Sequence, residues 1–212
     1  MNKLLLTLLL LSLLAQANLG TFKDGKFIYP NTNKPFTGNL EVINHNWGNN
    51  SVEFSKDYVD GILHGTEKSY YQSGKLKSVG KFNQGKVNGT VTGYYEDGSI
   101  QVKAYFNNGV KQGRVVYYYL NGSKQLEQFF TDDKLDGLVR EWYDTGNLMI
   151  SRQYSKGLLH GEVKTYYETG ELFEATDFNY GTPKYKAVYR KDGSLADEQG
   201  FLNKQIIDSI IS

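Results

Sequence analysis

Short apolar runs alternate with glycine-containing turns along most of this chain. In each unit a first run ends in two adjacent aromatic residues, and after a turn a second run begins with an aliphatic residue and ends with an aromatic one. The aromatic pairs are Tyr70-Tyr71, Tyr94-Tyr95, Tyr118-Tyr119, Trp142-Tyr143 and Tyr166-Tyr167. The two apolar ends of a second run, such as Leu76 and Phe82, are an even number of residues apart. They therefore share one face of a β-strand, and each unit is predicted to be a β-hairpin.

Glycine recurs through the same units with a period of 24 residues. The three series are Gly65, Gly89, Gly113, Gly137 and Gly161; Gly74, Gly98, Gly122, Gly146 and Gly170; and Gly61, Gly85, Gly109, Gly157 and Gly181, with Asp133 in the gap. A period of roughly 20–50 residues indicates a repeat architecture in which each unit packs against its neighbours. Glycine is suited to turns that need a positive φ. We predict an all-β fold, an elongated single-layer antiparallel sheet of stacked 24-residue β-hairpin repeats with capping segments at both ends.

The pattern changes at both ends of this array, so the chain divides into four predicted segments. They are a signal peptide (1–17), an N-terminal lead-in or cap (18–37), the repeat array (38–201) and a C-terminal capping tail (202–212). Residues 204–211 fit either a helix, because Ile206 and Ile210 have helical spacing, or a last edge strand that continues the repeat frame. A helix is favoured because Leu202 extends the same stripe.

The first residues have the pattern of an export signal. Lys3 precedes an apolar run from Leu4 to Leu14, and Ala15-Gln16-Ala17 matches a small-x-small cleavage site. The run is shorter than the roughly 20 residues of a membrane-spanning helix, so no transmembrane segment is expected after cleavage. The chain has no cysteine, which excludes a lipid anchor on cysteine and a disulfide framework. We expect an exported protein, periplasmic or secreted, whose mature chain begins at Asn18.

Charge and composition limit the possible partners. The chain has 24 basic and 23 acidic residues, and removal of residues 1–17, which contain Lys3 and no acid, leaves 23 of each. This balance lacks the basic footprint of a nucleic-acid-binding protein. Aromatic residues are dominated by 17 Tyr and 11 Phe, which suits a thin layer whose rings keep polar tips near water.

No residue pattern indicates catalysis or metal binding. His64 and His160 each precede a periodic glycine, at a position that other units fill with Asn88 or Gln112, so we interpret both as turn residues. His45 has no partner at metal-ligand spacing. The densest acidic cluster lacks the spacing of a calcium loop and is interpreted as a solvated turn. It comprises Asp132, Asp133 and Asp136. We expect no catalytic, cofactor-binding or metal-binding residues and no enzyme activity.

Adjacent aromatics on a strand point to opposite faces of the sheet. Tyr71 and its equivalents share parity with Val91, Val115 and Val139, so that face is predicted to be the packed one. The other face then carries the set that we call the aromatic ladder, a candidate partner-binding surface. It consists of Tyr70, Tyr94, Tyr118, Trp142 and Tyr166. The alternative is that these rings only cover the sheet.

These residues resemble a known family. The pattern G-x-x-x-x-Y-Y-x-x-G-x-L, followed by F or Y and then x-x-G-x-x-x-G, is similar to the variant MORN repeat of bacterial YwqK-type antitoxins, and it extends from Gly38 to about Phe201. The resemblance implies stacked antiparallel hairpins, no cofactor and binding to other proteins, and it brings no active-site residues.

Taken with the export signal, the resemblance predicts a non-enzymatic, antitoxin-like exported protein that binds another protein along its sheet. The partner is expected to be a toxin, an envelope protein or a host protein. The alternative is a secreted or surface-associated factor that engages host or glycan ligands through the aromatic ladder. The sequence predicts no oligomeric state.

Overall fold

The computed structural model describes residues 20–48 and 51–200. The predicted signal peptide and the predicted capping tail at 202–212 lie outside the described residues. The chain forms two compact units, the first ending at Val110 and the second beginning at Lys111. Antiparallel strands make up both units, and the only helix among the described residues is a 3-10 turn at His45–Trp47. The predicted all-β fold of stacked hairpin repeats is confirmed. None of the described segments forms a helix long and apolar enough to cross a membrane.

The first unit contains a short N-terminal hairpin followed by a run of antiparallel strands. The strands are β1 (Thr21–Lys23), β2 (Lys26–Ile28), β3 (Gly38–Ile43), β4 (Val52–Val59), β5 (Ile62–Tyr70), β6 (Leu76–Asn83), β7 (Lys86–Val87), β8 (Gly89–Tyr94) and β9 (Ile100–Asn107). Each of β3, β4 and β5 pairs with the next strand, and β6 and β8 continue the same order. The two-residue strand β10 (Val110–Lys111) contains the residues where one unit ends and the other begins.

The second unit repeats this arrangement. Its strands are β11 (Gly113–Tyr118), β12 (Lys124–Thr131), β13 (Lys134–Leu135), β14 (Gly137–Trp142), β15 (Leu148–Ser155), β16 (Leu158–Tyr166), β17 (Leu172–Asn179), β18 (Thr182–Tyr189) and β19 (Leu195–Gly200). Successive long strands pair antiparallel from β11 to β19. A register shift comes just before the last residue of β11, β14 and β16, so each of these strands ends in a bulge.

Two kinds of turn alternate, and they account for the glycine period. The turn after an aromatic pair ends in glycine at positive φ: Gly74 (φ 81°) donates its N–H to the Tyr71 carbonyl at 2.9 Å. The second kind has positive φ at two successive residues, as at Asp60 (φ 50°) and Gly61 (φ 76°), which matches the twist of paired strands. Asp133 takes the glycine place at φ 62°, a conformation that aspartate adopts more readily than most residues. The predicted turn chemistry is confirmed.

An aromatic cluster joins the N-terminal segment to the first repeat. Phe27 and Phe36 are buried against Tyr58, with ring centroids 5.4 to 6.0 Å apart. The backbone continues the contact, because Phe27 donates to the Gly61 carbonyl at 2.8 Å and Gly61 donates to the Phe36 carbonyl at 2.7 Å. Ile28 bridges to Pro35 beside this cluster. The lead-in therefore contributes two of the three buried rings of this small core, and the first repeat contributes the third.

Burial in the second unit is not confined to the face predicted to be packed. Val115 and Val139 on that face are almost fully buried, as expected. The adjacent Val116 and its cross-strand partner Glu127 are buried on the opposite face. Long side chains can lay their aliphatic stems over smaller neighbours, which allows a single-layer sheet to bury residues on both of its faces.

Candidate functional site

All five residues of the aromatic ladder occupy one structural position. Each is the last residue of its strand, follows the strand's register shift, and is partly buried. Four of them lie opposite an aliphatic residue at the start of the return strand. Tyr118 is the exception, because it pairs with Lys124. The ladder is therefore a regular feature of the hairpins, with one irregular member in the second unit.

The second aromatic of four pairs ties its repeat to the next one. Within the units, the hydroxyl groups of four such tyrosines, which we call the tie tyrosines, each donate to a main-chain carbonyl of the following repeat. These bonds are Tyr71 to Tyr94 (2.7 Å), Tyr119 to Trp142 (2.7 Å), Tyr143 to Tyr166 (3.0 Å) and Tyr167 to Tyr189 (3.2 Å). Three of the four acceptors are ladder residues. The bond uses the ladder residue's carbonyl and leaves its side chain out of the tie.

In the first unit, the ladder face contains an open cavity of about 630 Å³. Tyr70 forms part of its wall, together with Glu41 and Lys68 from neighbouring strands. Asp57 also lines the cavity, but its carboxylate accepts hydrogen bonds from the Asn39 amide at 2.7 Å and the Thr66 N–H at 2.9 Å. Burial, and then the negative charge of Glu41, raises the pKa of the Tyr70 hydroxyl. That hydroxyl remains a hydrogen-bond donor at neutral pH.

In the second unit, the ladder face contains a buried carboxylate surrounded by cations. The side chain of Glu127 is only 6% exposed. It forms ion pairs with Arg114, with Lys124 at 3.4 Å and with Arg140 at 3.4 Å. We call these four residues the cationic cluster. Burial would raise the pKa of Glu127, but the hydrogen bond and charge of Arg114, followed by the charge of Lys124, outweigh it and lower the pKa. Glu127 is therefore ionised at neutral pH.

The cationic cluster touches the aromatic ladder directly. The Lys124 Nζ lies 5.3 Å from the centroid of the Trp142 ring, within the range of a cation–π interaction. Sequence reasoning missed this cluster, although one signal was present. Aliphatic side chains recur every 24 residues at the start of the return strand, and Lys124 interrupts this series. The series is Leu76, Ile100, Leu148 and Leu172.

The two histidines and the acidic turn are parts of the hairpin scaffold. His64 lies in β5 and His160 in β16, so the interpretation of both as turn residues is wrong; each lies at a register shift within the strand that follows the turn. The His160 ring stacks on Tyr180 at 4.3 Å. In the acidic turn, Asp133 accepts a hydrogen bond from the Lys111 N–H at 2.8 Å. Residues 20–48 and 51–200 contain no group of three or more side chains placed to hold a metal ion.

Comparison with known families gives matches to one model, described as MORN repeat variant. The matched residues are 63–84, 87–108, 135–156 and 159–180. The gap between the second and third matches holds three members of the cationic cluster, Arg114, Lys124 and Glu127. A search of the curated proteins finds no match. The scaffold of stacked hairpins therefore carries four copies that match the variant MORN repeat.

Proposed function

We propose that this chain is a non-enzymatic, exported bacterial protein that binds another protein along the ladder face of its sheet. The supporting observation is that the aromatic ladder repeats at strand ends on that face, with each ring partly exposed. Tyrosine and tryptophan contribute large contact areas at protein interfaces for little loss of side-chain entropy. The tie tyrosines stabilise the stack through main-chain acceptors, so these bonds do not use the ladder side chains.

The proposal of export is supported by the N-terminal pattern of Lys3, the apolar run and Ala15-Gln16-Ala17. The resemblance to YwqK-type antitoxins suggests that the partner is a toxin. An exported antitoxin would meet its toxin in the envelope, so we place the protein in the periplasm or outside the cell. An envelope protein or a host protein is the other class of partner.

The chemistry of the ladder face favours binding over catalysis. General acid–base catalysis works best with a group whose pKa lies near the operating pH. The buried Glu127 has a lowered pKa and is held by three cations, so it remains ionised near neutrality. Such a group fixes the positions of its neighbours and does not exchange protons.

The test is capture of partners by the purified mature protein from envelope and secreted fractions of the producing organism. We expect the double variant Tyr94→Ala/Tyr118→Ala to lose most of the captured protein, because it removes two ladder rings. Leu120→Ala/Leu158→Ala is the matched control, since these side chains are 61% and 51% exposed and lie outside the ladder. Circular dichroism checks that both variants are folded. Equal capture by the ladder variant and the wild type would contradict the proposal.

The alternative ligand class is carbohydrate, because aromatic rings also stack on sugars. A glycan array with the same two variants separates these cases. Binding of glycans that depends on Tyr94 and Tyr118, without capture of a protein, would replace the protein-binding proposal by a role in engaging host or surface glycans.

A further inference from the structure

The cationic cluster has more positive charge than its own carboxylate can balance. Arg114, Lys124 and Arg140 contribute three positive charges and Glu127 one negative charge, so the cluster has a net charge of +2. The cation side chains are 48%, 42% and 38% exposed, against 6% for Glu127. The carboxylate therefore lies beneath the cations, and the excess positive charge faces solvent on the side of the sheet that carries the aromatic ladder.

Stability of the repeat does not explain this cluster. The positions 24 or 48 residues away from Glu127 are mostly small or apolar. They are Val79, Lys103, Ser151 and Ala175. Replacing a buried ion pair by apolar residues of similar volume is often neutral or stabilising. A carboxylate with its cations is thus a more costly choice than the aliphatic and small residues Val79, Ser151 and Ala175 of other repeats. The segment that contains Glu127 also lies outside the residues matched by the family model.

The contacts within the cluster orient the two arginines and leave some of their guanidinium N–H groups without a bond to Glu127. Arg114 binds Oε1 of Glu127, whereas Arg140 binds Oε2. A guanidinium has five N–H donors in a planar fork, and these contacts occupy only some of them. Two arginines fixed by a shared carboxylate suit a second carboxylate, which arginine recognises through paired hydrogen bonds. Trp142 beside Lys124 adds an aromatic surface for the flanking part of a ligand.

From this arrangement we propose that the cationic cluster binds an acidic, extended segment of a partner protein, with a glutamate or aspartate side chain at Arg114 and Arg140. This assignment rests on the proposed protein-binding function and names the chemistry of the partner. Charge complementarity selects the occupant. A nucleic acid fits less well, because it would need a track of cations along its backbone. In the first unit the same face carries Glu41 near Lys68, so the cationic character is local to the second unit.

Fluorescence anisotropy on the mature protein tests this inference. The probe is a labelled eight-residue peptide in which glutamate alternates with valine or threonine, and its counterpart has glutamine in place of every glutamate. We expect the glutamate peptide to bind at least about tenfold more tightly than the glutamine peptide, with an affinity that falls as salt rises. Arg114→Gln/Arg140→Gln should remove this preference. Lys134→Gln/Lys156→Gln, which removes two exposed charges from the same unit, should keep it.

Three results would overturn the inference. They are equal binding of the two peptides up to about 1 mM, equal loss in both double variants, and tighter binding of a single-stranded oligonucleotide of eight thymidines. Circular dichroism and the urea midpoint confirm that each variant is folded. If acidic peptides are not preferred but the capture of partners still depends on Tyr94 and Tyr118, this inference fails while the protein-binding function stands.

Discussion

The two units place different chemistry at equivalent positions of the same repeat. Lys68 and Tyr70 in the first unit stand 72 residues, or three periods, before Arg140 and Trp142 in the second. In the first unit these residues line an open cavity, and Glu41 is also part of its wall. In the second unit, Arg140 is paired with the buried Glu127. The hairpins are equivalent, but one surface has an open cavity with mixed charge and the other has a buried carboxylate paired with three cations.

This difference indicates which residues of a repeat protein can determine its specificity for a ligand. Turns, strand lengths and tie tyrosines recur because the backbone requires them. Side chains at the centre of the ladder face vary between repeats without changing the hairpin. Residues that break the period, such as Lys124 and Glu127, are therefore the best guide to function in an array whose regular residues are structural.

The largest effect is expected from the core at the N-terminal end, which has no counterpart described in the second unit. Phe36→Ala removes a ring that is 4% exposed and packs against Phe27 and Tyr58. We expect a loss of about 3–5 kcal/mol in the free energy of unfolding. Hydrogen exchange should show the lost protection in β2 to β5, with the second unit unchanged.

The control for this variant is Phe22→Ala, because the Phe22 side chain is 68% exposed. It should cost well under half as much. Equal loss of protection across both units after Phe36→Ala would show that the two units unfold together, and the comparison between them would have to be given up.

The second effect concerns the cationic cluster of the second unit. Glu127→Ala leaves Arg114, Lys124 and Arg140 close together without their shared carboxylate. Because hydrogen bonds to a charged group contribute about 1.5–3 kcal/mol, we expect a loss of about 2 kcal/mol, measured by urea denaturation. Glu162→Ala is the control: its side chain is 63% exposed and pairs with Lys164, so its loss should cost less than about 1 kcal/mol. Equal costs would show that burial of Glu127 adds nothing.

Acid should weaken the second unit through the same carboxylate. The pKa of Glu127 is lowered in the folded chain, so its ionised form favours folding above the ordinary glutamate pKa of about 4.3. That contribution is lost as the pH falls through the lowered pKa of the folded state. Glu127→Gln should therefore show a smaller loss of unfolding free energy between about pH 6 and pH 3 than the wild type. Parallel pH profiles for the two proteins would contradict the lowered pKa.

The smallest effect should be the same in both units. Tyr71→Phe in the first unit and Tyr119→Phe in the second each remove one hydroxyl that donates to a carbonyl at 2.7 Å. We expect each to cost about 1 kcal/mol of unfolding free energy, measured by urea denaturation. Tyr105→Phe, at a ring that is 47% exposed, should cost little. Clearly unequal costs for the two tie tyrosines would show that the units differ in their scaffold as well as in their surfaces.

Much of the fold could be predicted because turn chemistry is local. The 24-residue glycine period fixes the hairpins, and even Asp133 fits the turn that its position requires. Parity also predicts that the ladder residues share one face, although each of them follows a register shift that parity does not describe. The burial of Val116 could not be predicted, because parity places it on the face opposite the predicted packed one and does not describe the side chains of neighbouring strands.

The cationic cluster was hidden for a related reason. Arg114 and Glu127 are 13 residues apart, and they meet only because the β11–β12 register brings them close. That register includes a bulge before Tyr118, and a bulge cannot be counted from residue spacing. The histidines were misplaced by the same kind of irregularity, since His64 and His160 lie at register shifts inside β5 and β16.

The tie tyrosines have a consequence for how such arrays diversify. Their acceptor is a main-chain carbonyl, which every amino acid supplies in the same place. A ladder residue can therefore be exchanged for another, as Trp142 stands in a series of tyrosines, without loss of the bond from Tyr119. Adhesion between neighbouring repeats and choice of ligand are thus separately mutable. A chain built this way can acquire a new specificity one residue at a time while its assembly stays intact.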